Sequence, residues 1–373
     1  MTQENNDNQP PAGKPRRRPR YAGTHPRRFE ERYKELNPQA YPEIGQHVRD
    51  MGRTPAGTHV PIMVEQIVQL LDPKPGEAMV DCTLGYGGHA QAFIDRLEGG
   101  TLVGMDVDGG QLERTRVRLE GALRDSGRVV RLAFVRGNFA GLAKAQSAAG
   151  LDGFDIIFAD LGVSSMQIDD PSRGFSYKTE GPLDMRMDDR IKRSAADVLA
   201  TISHADLSAA LADLADEPDA HAIAAAIVGR RQERPIRTTL ELAEIVEEVK
   251  ASTRRHGGNK PASVEDARAR RIHAAALTFQ ALRILVNDEL ASLSQLLRLA
   301  PFCLRPAGRI GIISFHSGED RLVKQAFRQG LRDGIYEQAS EEIIRPTRQE
   351  IHDNPRSSPA KFRWARRGRN QSS

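Results

Sequence analysis

The feature that most constrains the fold is a regular alternation between residues 78 and 160. Short apolar runs at Ala78–Cys82, Thr101–Met105, Val129–Val135 and Phe154–Ala159 are separated by amphipathic stretches near 88–98, 110–124 and 139–149. Strands alternating with helices at this spacing form βαβ units, whose strands lie parallel in one sheet. Ahead of them Ile62, Val64, Ile67, Val68 and Leu71 recur at helical spacing, with Pro73 and Pro75 placed to end that helix. After Asp160 the alternation stops. Residues 195–300 carry Ala, Leu, Glu and Arg at helical period, broken near 252–263, before one more strong strand at Ile310–Phe315. That strand follows an expected turn at Pro306–Ala307–Gly308, and a last strand-like run lies at Phe362–Ala365. The expected fold class is therefore α/β, a Rossmann-like sheet with a helical domain inserted between its fourth and fifth strands.

The loop after the first strand reads Asp81-Cys82-Thr83-Leu84-Gly85-Tyr86-Gly87-Gly88-His89-Ala90. Glycines at such a strand end let the backbone turn tightly and approach a ligand. Gly85, Gly87 and Ala90 also satisfy the dinucleotide fingerprint, so the loop alone does not choose between a nicotinamide cofactor and other nucleoside cofactors. Asp106, at the end of the second strand, is placed to accept the two hydroxyls of a ribose. His89 directly follows the glycines, where it either caps the next helix or touches the ligand. The fourth strand ends at Asp160, and in open parallel sheets the ligand lies beyond the carboxyl ends of the strands. No His or Cys sits at metal-ligand spacing, and Cys82 and Cys303 read as reduced core thiols of a cytoplasmic protein.

Charge is polarised. Residues 13–28 hold seven basic side chains and residues 356–369 six, with no acid in either run. The net charge is +4, so the remainder carries about −9. Basic ends on an acidic body suit a polyanionic partner. The segment before residue 58 is polar and proline-rich and reads as an arm without a fold of its own. No stretch is long and apolar enough to cross a membrane, and the N-terminus lacks a secretory signal.

Several stretches together resemble the bacterial 16S rRNA (cytosine-1402 N4)-methyltransferases. They are His59-Val60-Pro61, the DCTLGYGGH loop, Arg136-Gly137-Asn138-Phe139, DLGVSSMQIDDPSRGFS from Asp160, and GPLDMRMD from Gly181. Thr278-Phe279-Gln280, Ile313-Ser314-Phe315-His316-Ser317 with Glu319-Asp320-Arg321, and Asn354-Pro355-Arg356-Ser357 complete the set. The resemblance implies S-adenosylmethionine as methyl donor, with contacts from Gly87, Gly88, His89, Asp106, Phe139, Asp160 and Gln167. It implies 16S rRNA, or the small ribosomal subunit, as the substrate, and no metal. Departures fall at Ala274 and Leu277, where the family has Pro and Arg, and at Gly318, where it has Leu.

The corresponding organisation is an arm at 1–57, a first core segment at 58–165, a helical substrate domain at 166–275, and a second core segment at 276–373 ending in a basic strand and tail. For chemistry, the N4 amine of cytosine needs an acceptor that favours positive charge on nitrogen. Asp160 is the candidate, with Ser164 and Ser165 behind it. Phe175, Tyr177 or Phe315 would supply a stacking platform for the base. Two other classes fit parts of the pattern: a nicotinamide-dependent dehydrogenase, and a catalytically silent ribosome-assembly factor.

Overall fold

The computed structural model describes residues 61–255 and 274–369, so the N-terminal arm and most of the break at 252–263 lie outside the described residues. The described strands are β1 (Ala78–Asp81), β2 (Thr101–Asp106), β3 (Arg131–Arg136), β4 (Phe154–Asp160), β5 (Leu304–Ser314), β6 (Tyr336–Ala339) and β7 (Lys361–Arg367). They form one seven-stranded sheet in the order β3-β2-β1-β4-β5-β7-β6. Strands β1 to β5 pair in parallel, and β7 runs antiparallel between β5 and β6. The strand order reverses between β1 and β4. A crevice opens at such a reversal, outside the carboxyl ends of both strands.

Burial on both faces explains the unbroken apolar runs of the inner strands. All four residues of β1 are buried. On one face lie α1 (Val64–Leu71), α2 (Gly88–Ile94) and α3 (Gly109–Ser126), which bring Ile67, Leu71, Phe93, Ile94 and Leu119 onto Met79, Ile156 and Phe158. On the other lie α4 (Leu142–Ala148), α11 (Glu289–Cys303) and α12 (Ser317–Arg332), packing Leu142, Leu296, Ala300 and Phe327 onto Val80, Ile157 and Ile310. Between β4 and β5 comes α5 (Ser165–Asp169) and then α6 (Ala195–Thr201), α7 (His204–Ala215), α8 (Ala220–Glu233), α9 (Thr239–Arg255) and α10 (Ala276–Asn287). These last five share a separate apolar cluster around Leu183, Met185, Leu207, Leu211, Ile223, Leu242, Phe279 and Leu282. The helical insertion thus carries its own core.

The elements agree in type with the local sequence signals and differ from them at some boundaries. Helix α1 ends at Asp72, in the left-handed conformation, before Pro73 is reached. Arg309 caps it, donating to Leu71 O and Asp72 O while both its terminal nitrogens hold Glu77. Pro306–Ala307–Gly308 is not a turn preceding the fifth strand. It lies inside β5, which begins at Leu304 and pairs irregularly with β4 there, Ala307 taking φ of 62°. Strand β6 escaped the sequence, because of its four residues only Tyr336 is fully buried.

The strand-like run near the C-terminus is a sheet strand, β7, and it carries most of the basic residues there. Arg363 is 4% exposed and its Nε is 2.7 Å from Asp320 Oδ1. Arg367 donates to the Leu304 carbonyl. A last helix, α13 (Arg348–Asp353), packs before β7 and supplies Glu350, which accepts from the Met63 amide.

Candidate active site

The glycine loop is set by backbone approach. Gly85 N–H donates to Asp106 Oδ2 at 2.8 Å, and Gly85 O accepts from Thr115 Oγ1 and Gln111 Nε2 at 2.5 and 3.2 Å. Gly87 takes φ of 66°, and a Cβ there would lie 2.8 Å from Thr115 Cγ2. At Gly88 a Cβ would lie 2.8 Å from Pro61 Cγ. Larger residues would push the loop away from α3 and from the segment before α1. Asp106 also accepts from Asp108 N at 2.9 Å through Oδ1. Burial raises its pKa against those backbone hydrogen bonds. Each carboxylate oxygen keeps a second lone pair, so Asp106 has acceptor capacity left for a ligand.

Four successive strands of the sheet deliver one acid each to this edge: Asp106 ends β2, Asp81 ends β1, Asp160 ends β4, and Glu319 lies in the first turn of the helix after β5. Burial first, then the charges of Asp81 and Glu319, push the Asp160 carboxyl up to about 8. Asp81, buried and only 1% exposed, is pushed up to about 7 by burial, partly offset by the Thr83 amide that donates to it. Thr83 joins the two acids, since its Oγ1 accepts the Asp160 amide at 2.6 Å. Asp160 Oδ1 is buried with no hydrogen-bond partner among the described residues. A buried acceptor in that state is open to a donor from a ligand or a water.

His89 does not cap α2, whose N-cap is Gly87. Its ring is buried beside Phe158, with centroids 4.8 Å apart. Its Nε2 faces Ile62 O at 2.9 Å, and a carbonyl can only accept, so Nε2 carries a proton. Nδ1 then faces Asp160 Oδ2 at 3.7 Å.

Ser164 and Gln167 are brought together, in a structural role. Ser164 Oγ accepts from Gln167 N at 3.2 Å and Gln167 Oε1 accepts from Ser164 N at 3.0 Å, a capping box that starts α5. Ser165 is the first residue of that helix. Phe139 opens a 3₁₀ turn after β3 and packs, partly buried, against the α4–α11 face. Of the platform aromatics, Phe175 is buried in the helical cluster and Tyr177 packs edge-on against Phe279 at 5.5 Å. Phe315 is the one beside the Asp160 loop, its ring 3.6 Å from where a Gly162 Cβ would stand.

Asp81 and Glu319 were passed over in the sequence as site residues. The signal for Asp81 is an acid at the end of each successive inner strand; Glu319 lies one turn into the helix after β5 and has no such signal. Glu319 accepts the Phe315 and His316 amides and pairs with the His316 ring. Its own burial pushes the carboxyl up, but His316 and Arg283 outweigh that and hold it below the ordinary glutamate value. Among the described residues no group of three His, Cys, Asp or Glu side chains could hold a metal ion, and no helix is long and apolar enough to cross a membrane.

Residues 56–368 match the model of the MraW methylase family. The chain is 42% identical over 353 residues to ribosomal RNA small subunit methyltransferase H 1 of Agathobacter rectalis, covering 94% of this chain and 97% of that protein. It is 41% identical over 367 residues to the protein of that name from Lachnoclostridium phytofermentans, covering 98% and 96%. It is 40% identical over 329 residues to ribosomal RNA small subunit methyltransferase H of Acidothermus cellulolyticus, covering 83% and 94%.

Proposed function

The chain belongs to the MraW methylase family, and from that premise we propose that it methylates the N4 amine of a cytosine, position 1402, in 16S rRNA of the small subunit. S-adenosylmethionine, as donor, supplies an electrophilic methyl group on a positively charged sulfonium. The observation that carries this reading is the acid-lined edge at the strand reversal. Asp81, Asp106 and Asp160 surround the glycine loop, and the first and last are strained toward neutrality by burial and by neighbouring carboxylates. A cationic ligand with an ammonium group relieves that strain and gives Asp160 Oδ1 its missing donor. The diphosphate of a nicotinamide cofactor brings no cation to this edge and so cannot relieve these acids, which disfavours the dehydrogenase reading.

In this proposal Asp106 holds the ribose hydroxyls, Gly87 and Gly88 let the backbone close on the donor, and Phe139 packs on the adenine. Gln167 and Ser164 hold the loop after β4 in shape. His89 supports Asp160 from behind, and Ser165 stays as the second hydroxyl of that loop. Asp160 accepts an N–H of the target amine, favouring a pyramidal nitrogen as positive charge develops on it. Phe315 is the platform against which the extruded base stacks. A 16S rRNA substrate, free or in the small subunit, supports a cytoplasmic activity.

Two measurements test this. Asp106→Ala should weaken S-adenosylmethionine binding by about 2–3 kcal/mol, through loss of two charge-assisted hydrogen bonds, as read by calorimetry. Mass spectrometry of 16S rRNA from a deletion strain should show the N4 methyl missing at that cytosine. An intact modification in the deletion strain overturns the proposal, and rRNA binding without turnover by the pure protein would indicate the silent assembly factor instead.

A further inference from the structure

Asp106 does not stand alone. Its Oδ1 accepts the Asp108 amide, and Asp108 is itself fixed from two sides. Its Oδ1 caps α3 by accepting Gln111 N at 3.0 Å, and its Oδ2 takes Arg173 Nη1 at 2.7 Å. Arg173 comes from the segment that enters the helical insertion. Its Nη2 donates to Arg186 O and Met187 O, both at 3.1 Å, so one guanidinium fork joins the Asp106–Asp108 turn to residues 186–187.

Residues 183–190 are held on both sides. Toward the insertion, Leu183 and Met185 are buried in the helical cluster, and Asn287 of α10 accepts from Met187 N and donates to Met185 O, each at 2.7 Å. Met185 sits at φ of 62°, costly for a bulky side chain and kept only where surroundings over-determine the backbone. Toward the sheet, Arg136 at the end of β3 pairs with Asp188 at 3.5 Å and with Asp189. The Arg173 fork and the Arg136 pairs with Asp188 and Asp189 therefore pin this segment to the turn after β2 and to the end of β3, beside the acid assigned to the ribose.

We propose that Arg173 is a positioning residue for Asp106, and that its fork on Asp108 couples donor affinity to the placement of the helical insertion. This rests on the assignment of Asp106 to the donor's ribose. Arg suits the position because its planar fork sets one nitrogen on the carboxylate and a second on the two carbonyls, where an ammonium has a single nitrogen to share among them. Binding energies are linked, so rRNA that holds the insertion in this placement tightens the donor, and the donor tightens rRNA by the same factor.

The test compares full-length wild type with Arg173→Gln, Arg173→Lys, Asp108→Asn, the Arg173→Gln/Asp108→Asn double variant and Asp106→Ala. Calorimetry with S-adenosylmethionine and with S-adenosylhomocysteine gives donor-site affinity, and steady-state kinetics separate KM from kcat. Arg173→Gln and Asp108→Asn should each weaken both ligands by about tenfold, the size of one charge-assisted contact. The double variant should be no weaker than about threefold beyond either single change, because both break one connection. KM for the donor should rise while kcat at saturation stays within about threefold, and Arg173→Lys should recover part of the loss. S-adenosylhomocysteine should tighten wild type on unmodified small subunits by about fivefold or more, an effect that Arg173→Gln abolishes. Wild-type donor affinity in Arg173→Gln, with affinity lost in Asp106→Ala, overturns the inference and leaves the site assignment standing. Wild-type affinity in Asp106→Ala removes the assignment itself. If Arg173→Gln melts well below wild type, Asp108→Asn carries the same expected and overturning results alone.

Discussion

Replacing Asp160 by Asn tests whether the methyl-transfer edge is held in an electrostatically costly state. In the folded chain the acid titrates near 8, against 3.8 for an unperturbed aspartate. At pH 7 it is protonated when folded and ionised when unfolded, which costs folding about 4 kcal/mol. The sign follows from the raised value: the group's favourable contribution is complete below about pH 3.8 and is lost as pH rises through about 8. Asn keeps the shape and cannot ionise. The variant should therefore be more stable than wild type at pH 7 by about 2–4 kcal/mol, the lower figure allowing for the buried amide N–H₂. Its advantage should shrink toward pH 4. Thermal unfolding from pH 4 to 8 reads this directly. Donor affinity should show the converse: in wild type it rises with pH, by at most about tenfold per unit below 8, as a cation captures the ionised form. In the Asn variant the slope should be shallower, retaining the contribution of Asp81 near 7. Single-turnover methylation of unmodified small subunits at saturating donor should fall by about 10²–10³. A Tm difference that is the same at pH 5 and pH 8 would refute the raised carboxyl, and near-normal turnover would remove Asp160 from the chemistry. A variant that is more stable and inactive is the pattern expected where function is built at the expense of stability.

Ser164→Ala should lower stability by about 1 kcal/mol through loss of the cap on α5 and slow turnover only several-fold; a loss as large as that of Asp160→Asn would mean the hydroxyl acts in the chemistry. Gly88→Ala places a methyl group against Pro61, 2.8 Å from its Cγ, and should weaken donor binding by about 1–3 kcal/mol as the loop shifts, which equilibrium dialysis would detect. Arg363→Met should destabilise the sheet by about 1–3 kcal/mol by leaving Asp320 only the longer Lys361 contact at 3.9 Å, while the salt dependence of rRNA binding stays as in wild type; a flatter slope would make Arg363 a phosphate contact.

Much of this protein is local in origin. Apolar runs of strand length separated by amphipathic helices determine a parallel sheet, because a strand buried on both faces has no other way to satisfy its side chains and its backbone. Gly85, Gly87 and Gly88 mark the close approach, and Asp106 and Asp160 mark the strand ends, since each follows directly from its place on a strand. The helical insertion is legible for the same reason, its period changing after Asp160. Other features depend on what distant parts of the chain bring alongside. Strand β6 exists because β7 offers it a ladder, not because Tyr-Glu-Gln-Ala prefers to extend. Arg363, Arg366 and Arg367 read as part of a basic C-terminal strand, but only the tertiary structure places that strand antiparallel between β5 and β6. Ser164 looks like a free hydroxyl until Gln167, one turn on, takes it as a cap. The buried acids of this edge are the furthest from local reading. Asp81, Asp160 and Glu319 are 79 and 159 residues apart in succession, and only the strand order sets them side by side. Their burial is produced by helices from both ends of the chain, and burial is what makes a carboxylate expensive and responsive to a cationic ligand.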